Sequence, residues 1–506
     1  MAIRSARLIA LALGAVGTGP IAGSAAFART DQRSCPVPAV ATGGPSNAHS
    51  RNVEANLNPP VVQPGARPYS LAERMRSYGV PGISVAVIHG GKLAWARGWG
   101  VRDTASCAAV TPDTAFQAAS ISKAATAVIA LRLVEQGKLG LDQDINRFVR
   151  SWQLVRDPKL APGGVTLRQL LSHTAGLGIH GFGGYLPGEP LPTPVQILDG
   201  VPPANSGAVR SIQPAGGQWS YSGGGYVLTQ LALSKVSGMP FAALAQRELF
   251  GPLKMRRSAY AQPPSATIRA DIASAHAGGV PIAGKYRVYP ELGAAGLWTN
   301  AADLARLLID VQASAAGREH HRLSPAMTRE MLTPIKGNWG LGPAIYSSGA
   351  RRFGHDGLNE GFQSFMVAYV DRGDGVVVLV NGGEGRKLID EVVRAIATDY
   401  GWSDIAAPAA VEKTLTRAQL SRVAGTYAGG GLSVVIEARA EGLFADTGDP
   451  RAERLIALSA TRFRSEQTGI VGEFAPDYSS FDIVEGGPPI RLIRAAPAAA
   501  PPAQHR

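Results

Sequence analysis

At 506 residues the chain exceeds the roughly 300 at which single hydrophobic cores stop growing, so one large domain with at least one appendage is expected. Hydrophobic residues make up 45% of it and charged residues 17%, which excludes a mostly disordered chain. The formal charge of +12 comes without an aromatic-interleaved basic patch, a zinc-finger spacing or a recognition-helix signature, so nucleic acid is not indicated as a partner.

In chain order, residues 1–28 read as a secretory leader. Arg4 and Arg7 form a positive n-region, Leu8 to Val16 a short apolar core, and Ala26-Phe27-Ala28 a small-x-small cleavage site. The apolar run falls short of the roughly 20 residues that span a bilayer. No later transmembrane segment is expected, and the mature chain is expected in the periplasm or outside the cell; an uncleaved anchor is the alternative. Residues 29–66 read as a Pro-rich arm. Residues 82–100 predict a hairpin around Gly90-Gly91. Helices are expected over 120–136, with Val128, Leu131 and Val134 on one face, and over 166–173. Residues 174–218, rich in Gly and Pro, are expected as loops over one face. Further helices fit 226–238 and 300–313, the latter begun by an Asn or Thr cap. Residues 362–370 and 376–380 predict a second hairpin through the turn Asp371 to Gly375, and 387–400 a closing helix. A linker at 403–414 precedes strand-length pieces through 415–494, read as a small β-rich domain, and a tail at 495–506. Strand pairs separated by many helices favour an α/β domain of the α+β kind, an antiparallel sheet flanked by helices with an all-helical subdomain.

Three local patterns carry candidate chemistry. In Ser120-Ile121-Ser122-Lys123, positions i and i+3 share a helix face, so hydroxyl and amine reach one cleft. First-turn amides favour a developing negative charge, and a lysine neutralised by burial can take the serine proton. Taken alone, the pattern equally fits a capped helix with a solvated lysine. Tyr221-Ser222-Gly223 places a phenol before a helix, where it can relay a proton or simply pack. His355-Asp356-Gly357-Leu358 lies just ahead of a predicted strand, where the Leu358 amide is a candidate oxyanion donor; the plain alternative is a histidine in a Gly-rich loop. No metal site is expected: Glu319-His320-His321 has no ligand spacing on one helix face. No cofactor is expected either, since neither dinucleotide nor P-loop glycines are present. Cys35 and Cys107 are free to pair in an oxidising compartment or to remain thiols.

Together these motifs, with TLRQLLSHTAGL (166–177) and GDGVVVLVNGG (373–383), resemble those of the penicillin-recognising serine hydrolases: class C β-lactamases, low-molecular-weight DD-peptidases, family VIII-type carboxylesterases and D-amino-acid amidases or aminopeptidases. The resemblance covers roughly 67–402 and implies a β-lactamase/transpeptidase-like fold. It implies Ser120 as nucleophile, Lys123 as its proton acceptor and Tyr221 as general acid/base. His355 replaces the lysine of the third box, ahead of Gly357, and the amides of Ser120 and Leu358 form the oxyanion hole. Ser222 and His173 are expected as framework or substrate-side residues. Gly223 stands where the family commonly has Asn, so that side chain's contact is lost. The resemblance implies an exported hydrolase of small esters, amides or short D-residue peptides, with cell-wall material as a further partner. A true β-lactamase or DD-carboxypeptidase and an inactive envelope-binding homologue are the alternatives.

Overall fold

The computed structural model describes Cys35 and residues 47–60, 62, 65–150, 152–155, 157–318, 320–405, 411–429, 432–448, 452–466, 469–484 and 490–495. The expected leader and most of the arm and tail lie outside these. Two compact units emerge, one of residues 33–54 with 70–393, the other including 55–69 and 394 onward.

In the larger unit, Gly90 and Gly91 take positive φ (58° and 73°), the geometry of the two-residue turn that matches strand twist. They join β1 (Gly82–His89) to β2 (Lys92–Asp103). The sheet adds β3 (Ala108–Ala109), β4 (Ala344–Tyr346), β5 (Arg352–Asn359), β6 (Phe362–Tyr369) and β7 (Gly375–Val380). Its order is β3-β2-β1-β7-β6-β5-β4, antiparallel throughout. β7 and all of β1 but His89 are buried on both faces, which is why their sequences are unbroken apolar runs rather than alternating ones.

Helix α1 (Ile121–Glu135) is buried on nearly every side, so its apolar residues do not mark one stripe as the spacing suggested. Helix α2 (Leu167–Leu171) begins at a Thr166/Gln169 capping box. The loop expected over 174–218 contains a short helix, α3 (Pro194–Asp199), whose Thr193/Gln196 capping box was legible as TPVQ. Helix α4 (Gly223–Ser237) starts three residues earlier than predicted, at the Ser222 cap. Its leading glycines allow close approach: a Cβ on Gly224 would lie 2.7 Å from Val209 and 3.0 Å from the Gly178 carbonyl. Beyond the one-turn helix α5 (Leu292–Ala295), helix α6 (Ala301–Ala315) is capped by Asn300, which accepts from the Asp303 amide at 2.8 Å, and packs on β1, β2 and β7.

Part of the expected arm is ordered: residues 48–55 form a helix. Its Glu54 accepts from the Trp99 indole at 2.8 Å and pairs with Arg97 at 3.2 Å. Cys35 and Cys107 form a disulfide with Cα atoms 5.5 Å apart.

In the other unit, eight strands between Gly425 and Arg494 close into an antiparallel barrel. The sequence marked most of these strands singly but not their closure. Tyr427, Phe463, Phe474, Tyr478 and Phe481 fill the barrel core, with Phe474 stacked on Phe481 at 4.4 Å. Among the described residues no single helix is long and apolar enough to cross a membrane.

Candidate active site

Ala118 is pinned on both sides of its peptide plane: its amide donates to Leu297 O at 2.9 Å, and its carbonyl accepts from Ser364 Oγ at 2.8 Å. Ala119 then adopts a left-handed conformation (φ 49°), unusual for a residue with a side chain. This sharp turn presents Ser120 at the front of α1, where backbone amides lack partners within the helix.

One turn on, Lys123 is almost wholly buried. Its Nζ donates to Ser120 Oγ at 3.0 Å and to Ala294 O, on α5, at 2.8 Å. Burial brings its amine from the ordinary 10.5 down to about 7, opposed by the negative charge of Asp356. Nζ also lies 4.8 Å from the centroid of the Tyr221 ring. Desolvation raises the pKa of the Tyr221 phenol well above the usual range, and the neighbouring Ser120 hydroxyl only partly offsets it. Amine and phenol are thus pushed in opposite directions, one toward a base and the other toward a retained acid.

His173 leaves α2 with φ 59°, fully buried, its ring 4.2 Å from that of Tyr221. Its Nδ1 accepts from the Ser222 amide at 3.1 Å, which orients the residue after the tyrosine. Ser222 Oγ donates to Gly178 O at 2.8 Å and accepts from the Gly225 amide at 3.0 Å. Both side chains are engaged by backbone groups, and burial holds the His173 ring neutral, well below its ordinary value.

His355 does not sit in a loop ahead of a strand. It lies within β5, opposite Met366, because Gly354 and Gly357 are there for close packing rather than for turns. Its Nδ1–H donates to Asp356 O at 2.5 Å, so Nε2 is an acceptor; among the described residues it has no partner. Burial, with the Lys123 charge, brings its pKa down to about 4 against the pull of Asp356. Asp356 in turn pairs with Arg386 at 3.1 Å, and Arg386 with Asp390 at 3.0 Å.

A Cβ on Gly357 would lie 2.4 Å from both Ala118 O and Ser364 Oγ. Gly357→Ala therefore separates β5 from the Ser120 turn. A fall in kcat of at least about tenfold is expected, with slower labelling of Ser120 by an acylating probe and only modest change in KM. β4 pairs with β5 only as far as Gly354, and the hairpin closes at Asn359 opposite Phe362. Ladder alternation therefore puts the Leu358 amide on the outer edge of β5, beyond the reach of β4, with the Leu358 side chain 67% exposed.

The family model described as Beta-lactamase matches residues 70–398. The chain belongs to the beta-lactamase family. Protein flp of Staphylococcus aureus (strain N315) is 22% identical over 349 residues, 65% of each chain, so this chain spans less than two thirds of that relative's length. Esterase EstB of Burkholderia gladioli is 29% identical over 194 residues, 36% of this chain and 48% of the esterase. The structure of the octameric penicillin-binding protein homologue from Pyrococcus abyssi superposes with a TM-score of 0.57 at 23% identity, covering 84% of this chain and 98% of that one. It is similar in fold.

Within this beta-lactamase-family chain, three contributors to the site escaped sequence reasoning. Ala294 acts through its carbonyl, which no side-chain motif records. Trp339 lies among His173, Tyr221 and His355 with ring centroids 5.1 to 5.9 Å away, and its NWGLG context carries no recognisable signal. Phe182, from the loop over one face, occupies the space beside Gly223: a Cβ there would meet Phe182 Cε2 at 2.9 Å and His180 O at 3.0 Å. The place of the missing Asn side chain is therefore filled by an aromatic ring. Among the described residues no cluster of His, Cys, Asp or Glu could hold a metal ion.

Proposed function

We propose that the chain is an exported serine hydrolase of the SxxK type that cleaves an ester or amide through a Ser120 acyl-enzyme. The observation that carries this is the 3.0 Å bond from Lys123 Nζ to Ser120 Oγ, made by a lysine whose burial leaves it partly neutral at pH 7. Lys123 takes the Ser120 proton as Oγ attacks the substrate carbonyl. The amides of Ser120 and Leu358 receive the oxyanion. Tyr221, its phenol retained as an acid, protonates the leaving group and recovers its proton from Lys123, which had taken it from Ser120, so the acylated Oγ takes no part in the return. For deacylation the same groups run in reverse on water.

Two features favour an ester or amide without a leaving-group carboxylate. His355, which replaces a cationic lysine, is neutral and offers an acceptor. The nearby guanidinium of Arg386 is already paired with Asp356 and Asp390. A carboxylate arriving there meets an Arg386 charge that is already compensated. Export is supported by the leader and by the disulfide, which persists in oxidising compartments.

The test is a substrate panel on the purified chain: p-nitrophenyl acetate, aminoacyl anilides, nitrocefin and a D-Ala-D-Ala peptide. The ester and anilides are expected to exceed the two carboxylate substrates in kcat/KM by about a hundredfold. Dominant nitrocefin turnover would instead support a β-lactamase.

A further inference from the structure

Trp339 sits where the rings of the site meet. Its indole lies 5.1 Å from His173 and 5.4 Å from His355, centroid to centroid. It stands edge-on to Tyr221 at 5.9 Å, with the ring planes 82° apart. The residue is 8% exposed, and its indole nitrogen has no hydrogen-bond partner among the described residues. What it offers these neighbours is therefore ring packing, in the edge-to-face form that aromatic quadrupoles favour. The Tyr221 ring has the buried His173 at 4.2 Å and the exposed His180 at 4.8 Å as further neighbours.

The turn that carries Trp339 is fixed to three elements of the site. The Gly342 amide donates to Leu171 O at 3.2 Å, at the end of α2 and two residues before His173. Gly342 (φ 112°) also lies close on α1: a Cβ there would stand 2.4 Å from that of Ala127, one turn beyond Lys123. Ala344 pairs with Gly354 on β5, next to His355. Trp339 itself closes the turn, its amide donating to Lys336 O at 3.2 Å and its carbonyl accepting from the Ile335 amide at 2.8 Å. The indole is thus held from α1, α2 and β5 together, while Tyr221 projects from the chain just ahead of α4.

We propose that Trp339 is a positioning residue for Tyr221: its ring sets where the phenol stands when the proton passes to the leaving group. This rests on the acyl-enzyme reading above and deepens it. In that step the bond from the acyl carbon to the leaving oxygen breaks as that oxygen takes the Tyr221 proton, and Tyr221 regains one from Lys123. Misplacing such a group by about 1 Å costs about a hundredfold in rate. The cost depends on the leaving group. An alkoxide needs the proton in order to leave, whereas p-nitrophenolate leaves as the anion. A residue that acts through Tyr221 therefore changes how steeply the rate depends on the leaving group. A residue that only supports the fold does not.

The experiment measures kcat/KM, which reports acylation, on p-nitrophenyl, phenyl and ethyl acetate, esters that share one acyl group. Trp339→Leu is expected to raise the preference for p-nitrophenyl over ethyl acetate by about thirtyfold or more. Trp339→Phe keeps an aromatic edge and holds the preference within about threefold of wild type. In a Tyr221→Phe background Trp339→Leu adds nothing further, the mark of two residues acting as one unit. A fluorophosphonate adduct on Ser120 reports a folded variant, and Trp339→Met replaces Leu where that adduct is lost. Equal losses on all three esters, no loss on any, or the same steepening without the Tyr221 phenol overturn the role of Trp339 and leave the acyl-enzyme intact. Failure of the fluorophosphonate to label Ser120 in wild type overturns the acyl-enzyme reading itself, and the proposal with it. An unchanged preference in Tyr221→Phe alone overturns Tyr221 as the acid.

Discussion

Ser120→Ala is expected to abolish covalent labelling and to lower kcat on the preferred substrate by about 10⁶-fold, the scale of nucleophile loss where nucleophile and base act as one unit. Intact-mass spectrometry after a fluorophosphonate shows one adduct on wild type and none on the variant. The fold should be untouched, because the turn at Ala118 and Ala119 is held by Leu297 O and Ser364 Oγ and not by the serine hydroxyl. Residual hydrolysis close to wild type would mean that another group is the nucleophile.

Lys123→Met carries the second large effect, and it acts on rate and stability in opposite directions. Removing the proton acceptor is expected to slow acylation by about 10³-fold. In wild type, kcat/KM should rise as pH passes about 7, when Lys123 loses its proton; the variant should lack that limb. The same burial that tunes the amine destabilises the fold. With a folded value near 7 against 10.5 for the free side chain, the unfolded chain holds the extra proton between those two pH values. Wild-type stability therefore rises with pH across that window, and the burden of burying the amine is fully present below pH 7. Methionine removes it, leaving the Ala294 carbonyl and Ser120 Oγ without the Lys123 donor; the buried carbonyl costs about 1–3 kcal/mol. The variant is expected to melt higher than wild type at neutral pH, with the margin narrowing toward pH 10.5. Thermal unfolding of both proteins across that range measures it. A variant less stable at pH 7 would show that Lys123 is buried without strain.

The two outcomes bear on how the site is legible. Ser120, Lys123 and Tyr221 could be picked out because side-chain chemistry at fixed spacing survives in a linear reading. The i, i+3 relation of serine and lysine needs only a helix, and the apolar run after them supplies it. His355 was found but misplaced. Its flanking glycines read as a turn, whereas a strand needs them where Met366 O and Ala118 O press against its backbone. The loss of the Asn at Gly223 was visible, but its replacement by Phe182 was not, since that ring arrives from about forty residues upstream.

What the sequence by itself determined is a set of candidate reacting groups and the elements that carry them: two hairpins whose apolar runs form the sheet centre, the helix behind Ser120, and a β-rich C-terminal part. Local spacing and burial patterns are properties of a few consecutive residues, so they can be read in order. Only the tertiary structure decided the protonation states and the surroundings of the cleft. Lys123 comes near neutrality because distant elements exclude water from it, with Ala294 O as one of its two hydrogen-bond partners. His355 becomes a neutral acceptor because the carbonyl of Asp356 fixes its tautomer. Each of these depends on desolvation by residues far away in the chain, and desolvation has no signature along a sequence.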